Sequence, residues 1–578
     1  MTEENGTPAA LGFGTLARLL IGLLVGLVFG LVMSVVSNFF VITVRRLTAI
    51  REGDLVDFFM IGDSGLTLAP LVCLLVATGI VLGIRHFLGI SRWHGPADSI
   101  HAAHRTDNEL DIRAGFGSTL AALVSASGGA SVGQYGPLVH FGATMGSAIR
   151  QISGRVLSTD VFIGCGVAGA IAAGFNAPIA GVVFAHEAIL RHFSVRAIVP
   201  IAVASISSSW FTGQIFGSAP LFDLASTSLD LANVLPGALV AGLFFGLIAS
   251  LFMILIRSTT RFAAGSGLSP APLAFAAAIV TGIAGMFVPE ALGLGTGPLA
   301  HILDGGYGTG FLWLLLFAKL CLTALCIGFG LFGGIFSPAL FVGAAAGAVS
   351  GRLVSLVADA GVIGAGLTIA LPICGMAAVA SAVIGAPIAG VMIILEMTMN
   401  YELALAAMIS VVVCLMISNI LFGHSFFDRQ LLDRGIDVSQ GRGHIEMMES
   451  EVLDIVRQDF VAISRDMGTR AAMRQLAVHD ASEGYIIDDN GIFEGKITLQ
   501  SLIDAGDAPL GSMMQADVIS IKHDASLQQA IEIASNFVGE SIPVIDRDSG
   551  KMKGVVTEAD LFQLYLSLQN RIADLERS

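Results

Sequence analysis

Apolar residues dominate long stretches of this chain, with polar ones at the joints between them, until about residue 435, where short mixed alternations take over. A first apolar run reaches from Leu11 to about Ile42, and others lie near 66–90, 194–212, 233–256, 271–288, 311–331, 362–380 and 403–422. As helices, these are long enough to cross or nearly cross a hydrocarbon core of about 30 Å. The first run follows a polar, acidic start, Met1 to Ala10, and carries no small-residue cleavage site. It is too long for a signal peptide, so it predicts a retained helix. Shorter segments, 117–127, 138–149, 162–173, 177–190, 338–350 and 384–397, are interrupted by Gly and Pro. They predict broken or re-entrant helices rather than plain spans.

An internal repeat organises the apolar part. Asn176-Ala-Pro-Ile-Ala-Gly-Val-Val-Phe-Ala-His-Glu187 reads against Gly385-Ala-Pro-Ile-Ala-Gly-Val-Met-Ile-Ile-Leu-Glu396. Upstream of each copy lies a glycine-rich element ending in proline, Gly133-Gln134-Tyr135-Gly136-Pro137 and Gly333-Gly334-Ile335-Phe336-Ser337-Pro338. Two related halves with interrupted helices are a signature of transporters. The tail repeats a different plan. Asp459-Phe-Val-Ala-Ile-Ser leads through a helical segment at 469–478 to Gly484-Tyr-Ile-Ile-Asp488 and Gly495-Lys-Ile-Thr498; Asp517-Val-Ile-Ser-Ile leads through 526–538 to Ser541-Ile-Pro-Val-Ile-Asp546 and Gly554-Val-Val-Thr557. Each unit predicts a short strand, a helix, two strands and a closing helix. The chain thus divides into an all-α multi-pass membrane part, 1–435, a linker, 436–450, and an α/β tail, 451–578, with units at about 451–506 and 510–570.

Composition agrees. The 578 residues are 54% hydrophobic and 13% charged, and the mean hydropathy of +0.80 lies far outside the range of soluble domains. The 69 glycines, in apolar stretches with Ala and Ser, suit helices that approach closely within a membrane. The net charge of −15 gathers in the tail, and no basic tract points to nucleic acid. Arg45, Arg46 and Arg51 read as one loop while Arg85, Arg92 and Arg105 bracket the next, so the positive-inside rule gives no orientation. The six cysteines lie in apolar runs without metal-ligand spacing and read as buried thiols, with no metal site expected.

The chemistry implied is anion passage. A dehydrated anion in hydrocarbon needs compensation of several kcal/mol, yet a fully buried Lys or Arg would hold it too tightly to release. Helix N-termini supply partial positive charge through unpaired N–H groups, and glycine lets the backbone approach the ion. Both glycine-rich elements place Pro in a first helical turn, where its missing N–H costs nothing. Two such tips meeting near the midplane make an anion site; the competing reading is that Gly and Pro only kink packed helices.

These motifs resemble the CLC family of chloride channels and chloride/proton exchangers, followed by a pair of CBS domains, over about 65–435 for the membrane part. Gly133-Gln-Tyr-Gly-Pro137 followed by Leu-Val-His-Phe-Gly-Ala looks like the family's Gly-Arg-Glu-Gly-Pro element, and Gly334-Ile-Phe-Ser-Pro338 like its Gly-Ile-Phe-x-Pro element. Asn176-Ala-Pro and Glu396-Met-Thr398 fit as well. The resemblance implies a homodimer with one pathway per subunit, inverted repeats, cytosolic termini and, for this chain, a prokaryotic inner membrane with the tail in the cytosol. It implies a transport protein, not an enzyme, with membrane lipid and a small anion as partners and no required cofactor.

The departures shape the expected function. Tyr135 stands where the family has its gating, proton-carrying glutamate, and Ala188 where exchangers have a second, inward-facing one. A neutral phenol neither competes with chloride as an anion nor shuttles protons readily. Its hydroxyl remains able to donate to an anion, and its ring to plug the pore. Glu187 and Glu396 read as capping or paired groups, and His186 as a satisfied structural histidine. The family's central-site serine loop becomes Trp93-His94-Gly95-Pro96-Ala97-Asp98, with His94 at the serine position, or Pro96 if the alignment shifts; the central-site tyrosine becomes Phe427. The expected pathway is lined by His94, Gly95, Pro96, Gly133, Gln134, Tyr135, Gly136, Pro137, Gly334, Ile335, Phe336, Ser337 and Phe427, with Tyr135 as gate. In the tail, Thr557 and Asp560 match the CBS positions that hold the ribose of adenine nucleotides, so one such site is a candidate. The expectation is a gated, proton-uncoupled anion channel or uniporter. Its rivals are an exchanger with another proton carrier and a nucleotide-sensing membrane protein with vestigial transport.

Overall fold

The computed structural model describes residues 12–61, 66–105, 108–153, 158–217, 229–357, 362–505, 508–515 and 517–577. The polar start, Met1 to Ala10, lies outside them. The chain forms two compact units, with the boundary at Ile436 and Asp437.

Among the described residues, nine helices of the first unit are long and apolar enough to cross a membrane. The first, Gly12–Glu52, runs past Ile42, so Arg45, Arg46 and Arg51 belong to its last turns rather than to a loop. Basic side chains complement the partial negative charge of a helix C-terminus, which lets the helix continue through them. The segments 138–149 and 338–350 are not broken pieces either. They lie inside the continuous helices Tyr135–Ser153 and Phe336–Val357. Their glycines serve close approach instead of interruption. A Cβ on Gly142 would come within 2.3 Å of the Gly166 carbonyl, and one on Gly343 within 2.1 Å of the Gly375 carbonyl. The two halves therefore use the same glycine-to-glycine crossing at corresponding places.

The repeats also clasp each other reciprocally. The Glu187 carboxylate accepts from the Ile388 and Ala389 N–H groups at 3.0 and 2.7 Å, at the start of the helix Pro387–Thr398. Glu396 accepts from Ile179 and Ala180 at 2.9 and 2.7 Å, at the start of Pro178–Phe184. Each acid thus caps a helix of the other half, in the structural role expected of it. Replacing Glu187 with alanine orphans two amides. Detergent-solubilised protein should lose about 1–3 kcal/mol of stability, read by chemical unfolding, with Glu187→Gln retaining part of it.

Four cysteines are buried, but Cys73 is only half-buried and Cys321 is exposed, contrary to a uniform buried-thiol reading. Cys321 lies on the spanning helix Thr309–Gly328, where an apolar run has an outward face as well as an inward one.

The second unit contains two three-stranded sheets. In the first, β1 (Ala462–Ser464) runs parallel to β2 (Glu483–Ile487), which pairs antiparallel with β3 (Phe493–Thr498). In the second, β4 (Ile521–Lys522), β5 (Ile542–Ile545) and β6 (Met552–Val556) repeat that order. The stretch 436–450, read as a linker, contains the helix Gly441–Glu449. Just beyond it, Val452 is buried among Ile521, Val544 and Val556, so chain preceding the first sheet completes the core of the second.

Candidate functional site

Gly133 and Gly334 meet back to back. Each donates its N–H to the other's carbonyl at 2.6 Å, an antiparallel bridge joining the two halves. A Cβ on Gly133 would lie 2.9 Å from the Gly334 carbonyl oxygen, and one on Gly334 would lie 2.9 Å from the Gly136 nitrogen. Only glycine permits that approach. The helices Tyr135–Ser153 and Phe336–Val357 start at this junction, so their first turns bring N–H groups without intrahelical acceptors to one place. Gln134 and Ser337 flank it, buried, and Gln134 Oε1 and Ser337 Oγ have no hydrogen-bond partner.

Tyr135 closes one side with an aromatic cluster. Its ring stacks on Phe175 at 3.7 Å between centroids and meets the edge of Phe336 at 5.5 Å, while Phe175 meets Phe336 at 5.1 Å. The Tyr135 hydroxyl donates to the Gly174 carbonyl at 3.3 Å, so in this state it is turned to backbone rather than offered to an ion. A cavity of about 940 Å³ borders the cluster, lined by Tyr135, Phe175, Ser337, Arg45, Arg51 and the loop 292–295. Behind that loop, buried Lys319 donates to the carbonyls of Ala291 and Gly293 at 3.1 and 2.9 Å.

The loop at 93–98 reaches the same junction. The Pro96 ring lies 3.5 Å from where a Gly136 Cβ would stand. Gly95 donates its N–H to Asp98 at 2.9 Å, and Asp98 is held by Arg92 at 2.7 Å and Arg434 at 2.8 Å. His94 donates its backbone N–H to Ser118 Oγ at 2.9 Å, with its ring 6.0 Å from that of His140. Both sequence alignments therefore have a counterpart: Pro96 abuts the glycine corner, and His94 carries the polar ring. Phe427 is buried in the short helix Phe426–Leu432, where its described ring contact is with Phe426. Among the described ring contacts, none joins Phe427 to the junction. Ala188 is buried in the π-helical turn Ala185–Leu190, and His186 pairs through Nδ1 with the His192 carbonyl at 2.8 Å.

The sequence assigns no role in the pathway to His140, Ser99, Arg51 or Lys319. His140 was detectable: it stands one helical turn after Gly136, on the same face. Lys319 and Arg51 carried no local motif.

In the tail, the Thr557 hydroxyl and N–H donate to Asp560 at 2.7 and 3.1 Å, and Arg457 pairs with the same carboxylate. Burial pulls the Asp560 carboxyl up, but the Thr557 donors and the Arg457 charge outweigh it and hold it below the usual range. The equivalent turn has Ser501 bonded to Thr498 at 3.2 Å, without a charge. A depressed folded pKa stabilises above the ordinary carboxylate value near 4 and loses that contribution as pH falls through the folded one. Urea unfolding of the full chain between about pH 3 and pH 6 should therefore lose part of its acid dependence in Asp560→Asn. Among the described residues, no group of three or more His, Cys, Asp or Glu side chains is placed to hold a metal.

The voltage gated chloride channel family model matches residues 80–419, and the CBS domain model matches 510–567. A putative chloride channel protein, ClcB-like, of Ralstonia nicotianae is 28% identical over 359 residues, covering 58% of this chain and 79% of that protein. An H+/Cl− exchange transporter, ClcA, of Vibrio cholerae is 30% identical over 318 residues, covering 53% of this chain and 66% of that one. Among solved structures, a slow cyanobacterial Cl−/H+ antiporter superposes with a TM-score of 0.63 at 21% identity, over 72% of this chain and 97% of its own. A eukaryotic CLC transporter gives 0.61 at 18% identity, over 95% and 99%. The family match runs through both glycine corners and both copies of the repeat, and the fold is shared with solved relatives: the chain belongs to the voltage gated chloride channel family, the CLC family, with a CBS domain toward its C-terminal end.

Proposed function

We propose that this protein passes chloride or a related small anion passively, as a gated channel or uniporter without proton coupling. The observation that carries the reading is the content of the gate position: an aromatic cluster of Tyr135, Phe175 and Phe336 stands beside the paired helix tips, with Tyr135 bonded to a carbonyl. A phenol there offers no anionic competitor and no titration near neutral pH. Ala188 supplies no second proton acceptor. The anion is held by the Gln134, Tyr135, Gly136, Ile335 and Phe336 amides that follow the Gly133–Gly334 bridge, and its passage requires the Tyr135 ring to move aside.

The protein works as a homodimer in a prokaryotic inner membrane, with its tail in the cytosol. The tail's Thr557–Asp560 turn takes an adenine nucleotide by displacing Arg457 from Asp560. The relatives named as exchangers favour a second reading, coupled chloride/proton exchange through another carrier such as His186. Reversal potentials in proteoliposomes under a pH gradient separate the two. Passive conduction keeps the reversal at the chloride equilibrium potential whatever the pH difference, whereas coupled exchange displaces it. Complete absence of flux would favour a sensor with vestigial transport.

A further inference from the structure

We propose that the cavity of about 940 Å³ beside Tyr135 holds an anionic phospholipid, with its phosphate on Arg45 and part of an acyl chain against the Tyr135 and Phe175 rings. Bound there, the lipid keeps the gate shut, so membrane composition sets the flux. Binding stands apart from the transport reading above; only the effect on flux rests on it.

The walls of the cavity suit an amphiphile. Arg45 and Thr48, three residues apart on the helix Gly12–Glu52, share a face and both line it. Arg45 is exposed and, among the described residues, has no carboxylate partner. Arg51 is already paired with Glu52 at 2.6 Å, and Glu290, the other carboxylate on the walls, makes no ion pair with Arg45. Arg45 is therefore the cation left to meet a guest. Much of the remaining lining is aliphatic, including Val44, Val56, Leu294, Leu299 and Met397. The volume far exceeds what a halide fills and lies near the upper end of pockets that bury an organic molecule.

The surroundings favour a lipid over a dissolved anion. Arg45 stands toward the end of a membrane-spanning segment, where basic side chains reach the headgroups. Leu47 and Ile50 adjoin the lining residues Thr48 and Ala49, Phe58 lies close to Val56, and Phe287 follows Met286. All four are exposed. They form an apolar rim across which a chain can enter from the bilayer, which supplies anionic amphiphiles at high local concentration. A chain lying against Tyr135 and Phe175 fills the space into which the ring would move aside.

Native mass spectrometry of the purified full-length protein tests binding, and chloride efflux from liposomes of phosphatidylcholine, alone or with an equal part of phosphatidylglycerol, tests the effect. The protein should retain phosphatidylglycerol in preference to phosphatidylcholine, and adding it should lower efflux about fivefold. Arg45→Gln should lose both the retention and the fall. Arg46→Gln, altered at an exposed neighbour that does not line the cavity, should keep both. Ala49→Phe, which fills part of the cavity, should also lose the retention and serves if Arg45→Gln fails to fold. Equal losses from Arg45→Gln and Arg46→Gln would overturn the site, because general surface charge would then explain them. No preference for phosphatidylglycerol would overturn it as well. Inorganic phosphate lowering efflux from phosphatidylcholine liposomes to the same extent would make a dissolved anion the occupant and remove the lipid. Preferential retention by a protein that passes no chloride in any liposome would instead sink the transport reading and leave the lipid site standing.

Discussion

Tyr135→Ala should raise chloride efflux from proteoliposomes by roughly five- to tenfold, because it removes the ring that joins Phe175 and Phe336 beside the paired helix tips. An aromatic pair contributes about 0.5–1.5 kcal/mol beyond its buried area, and Tyr135 makes two such contacts. Removing both favours the open arrangement by enough to multiply flux severalfold. Tyr135→Phe is the informative companion. It deletes only the 3.3 Å bond to the Gly174 carbonyl and should leave flux near wild type. Tyr135→Glu puts a titratable carboxylate at the gate and should make flux depend on pH where the wild type's does not. Unchanged efflux in Tyr135→Ala would remove the ring from the gating role.

Gly334→Ala should have the larger effect, a fall in flux on the order of a hundredfold. The new methyl would stand 2.9 Å from the Gly136 nitrogen and 3.1 Å from the Pro137 ring, and no flexible side chain is there to yield. The corners must separate, which breaks the paired 2.6 Å bonds to Gly133 and pulls the two helix tips apart. Gly310→Ala is the control: it lies in a spanning helix with nothing within 4 Å of the added methyl, and should transport normally. Equal flux from both variants would mean that the junction does not need its close approach.

These effects also show what the sequence made legible. The glycine corners were readable because Gly and Pro at a helix start are a local statement about backbone geometry. The repeat made their pairing a natural expectation, and the bridge between Gly133 and Gly334 bears it out. The strand–helix–strand–strand–helix plan of the tail was readable for the same reason, since turn residues and short alternation are local. Helix continuity was harder. Glycines after Pro137 and Pro338 resemble breaks in a linear reading, yet in space they are the places where two backbones touch. Arg45 and Arg51 interrupted the apolar pattern, but the helix carries them in its last turns. The pairing of His94 with His140 left no trace in spacing, because it depends on how a loop folds against a helix. Val452 is a similar case: its partners lie in the second sheet rather than in the unit that follows it in the chain.

The central claim is that opposed helix starts, and no fixed cation, hold the ion. Bromide anomalous diffraction from the full-length protein tests it most directly, in the wild type and in Tyr135→Ala. The account predicts a bromide peak within hydrogen-bond reach of the amides at 335–337, beside the Gly133–Gly334 bridge, with no Lys or Arg side chain touching it. Bromide found only against Arg45, Arg51 or Lys319, with nothing at the tips in either protein, would contradict it.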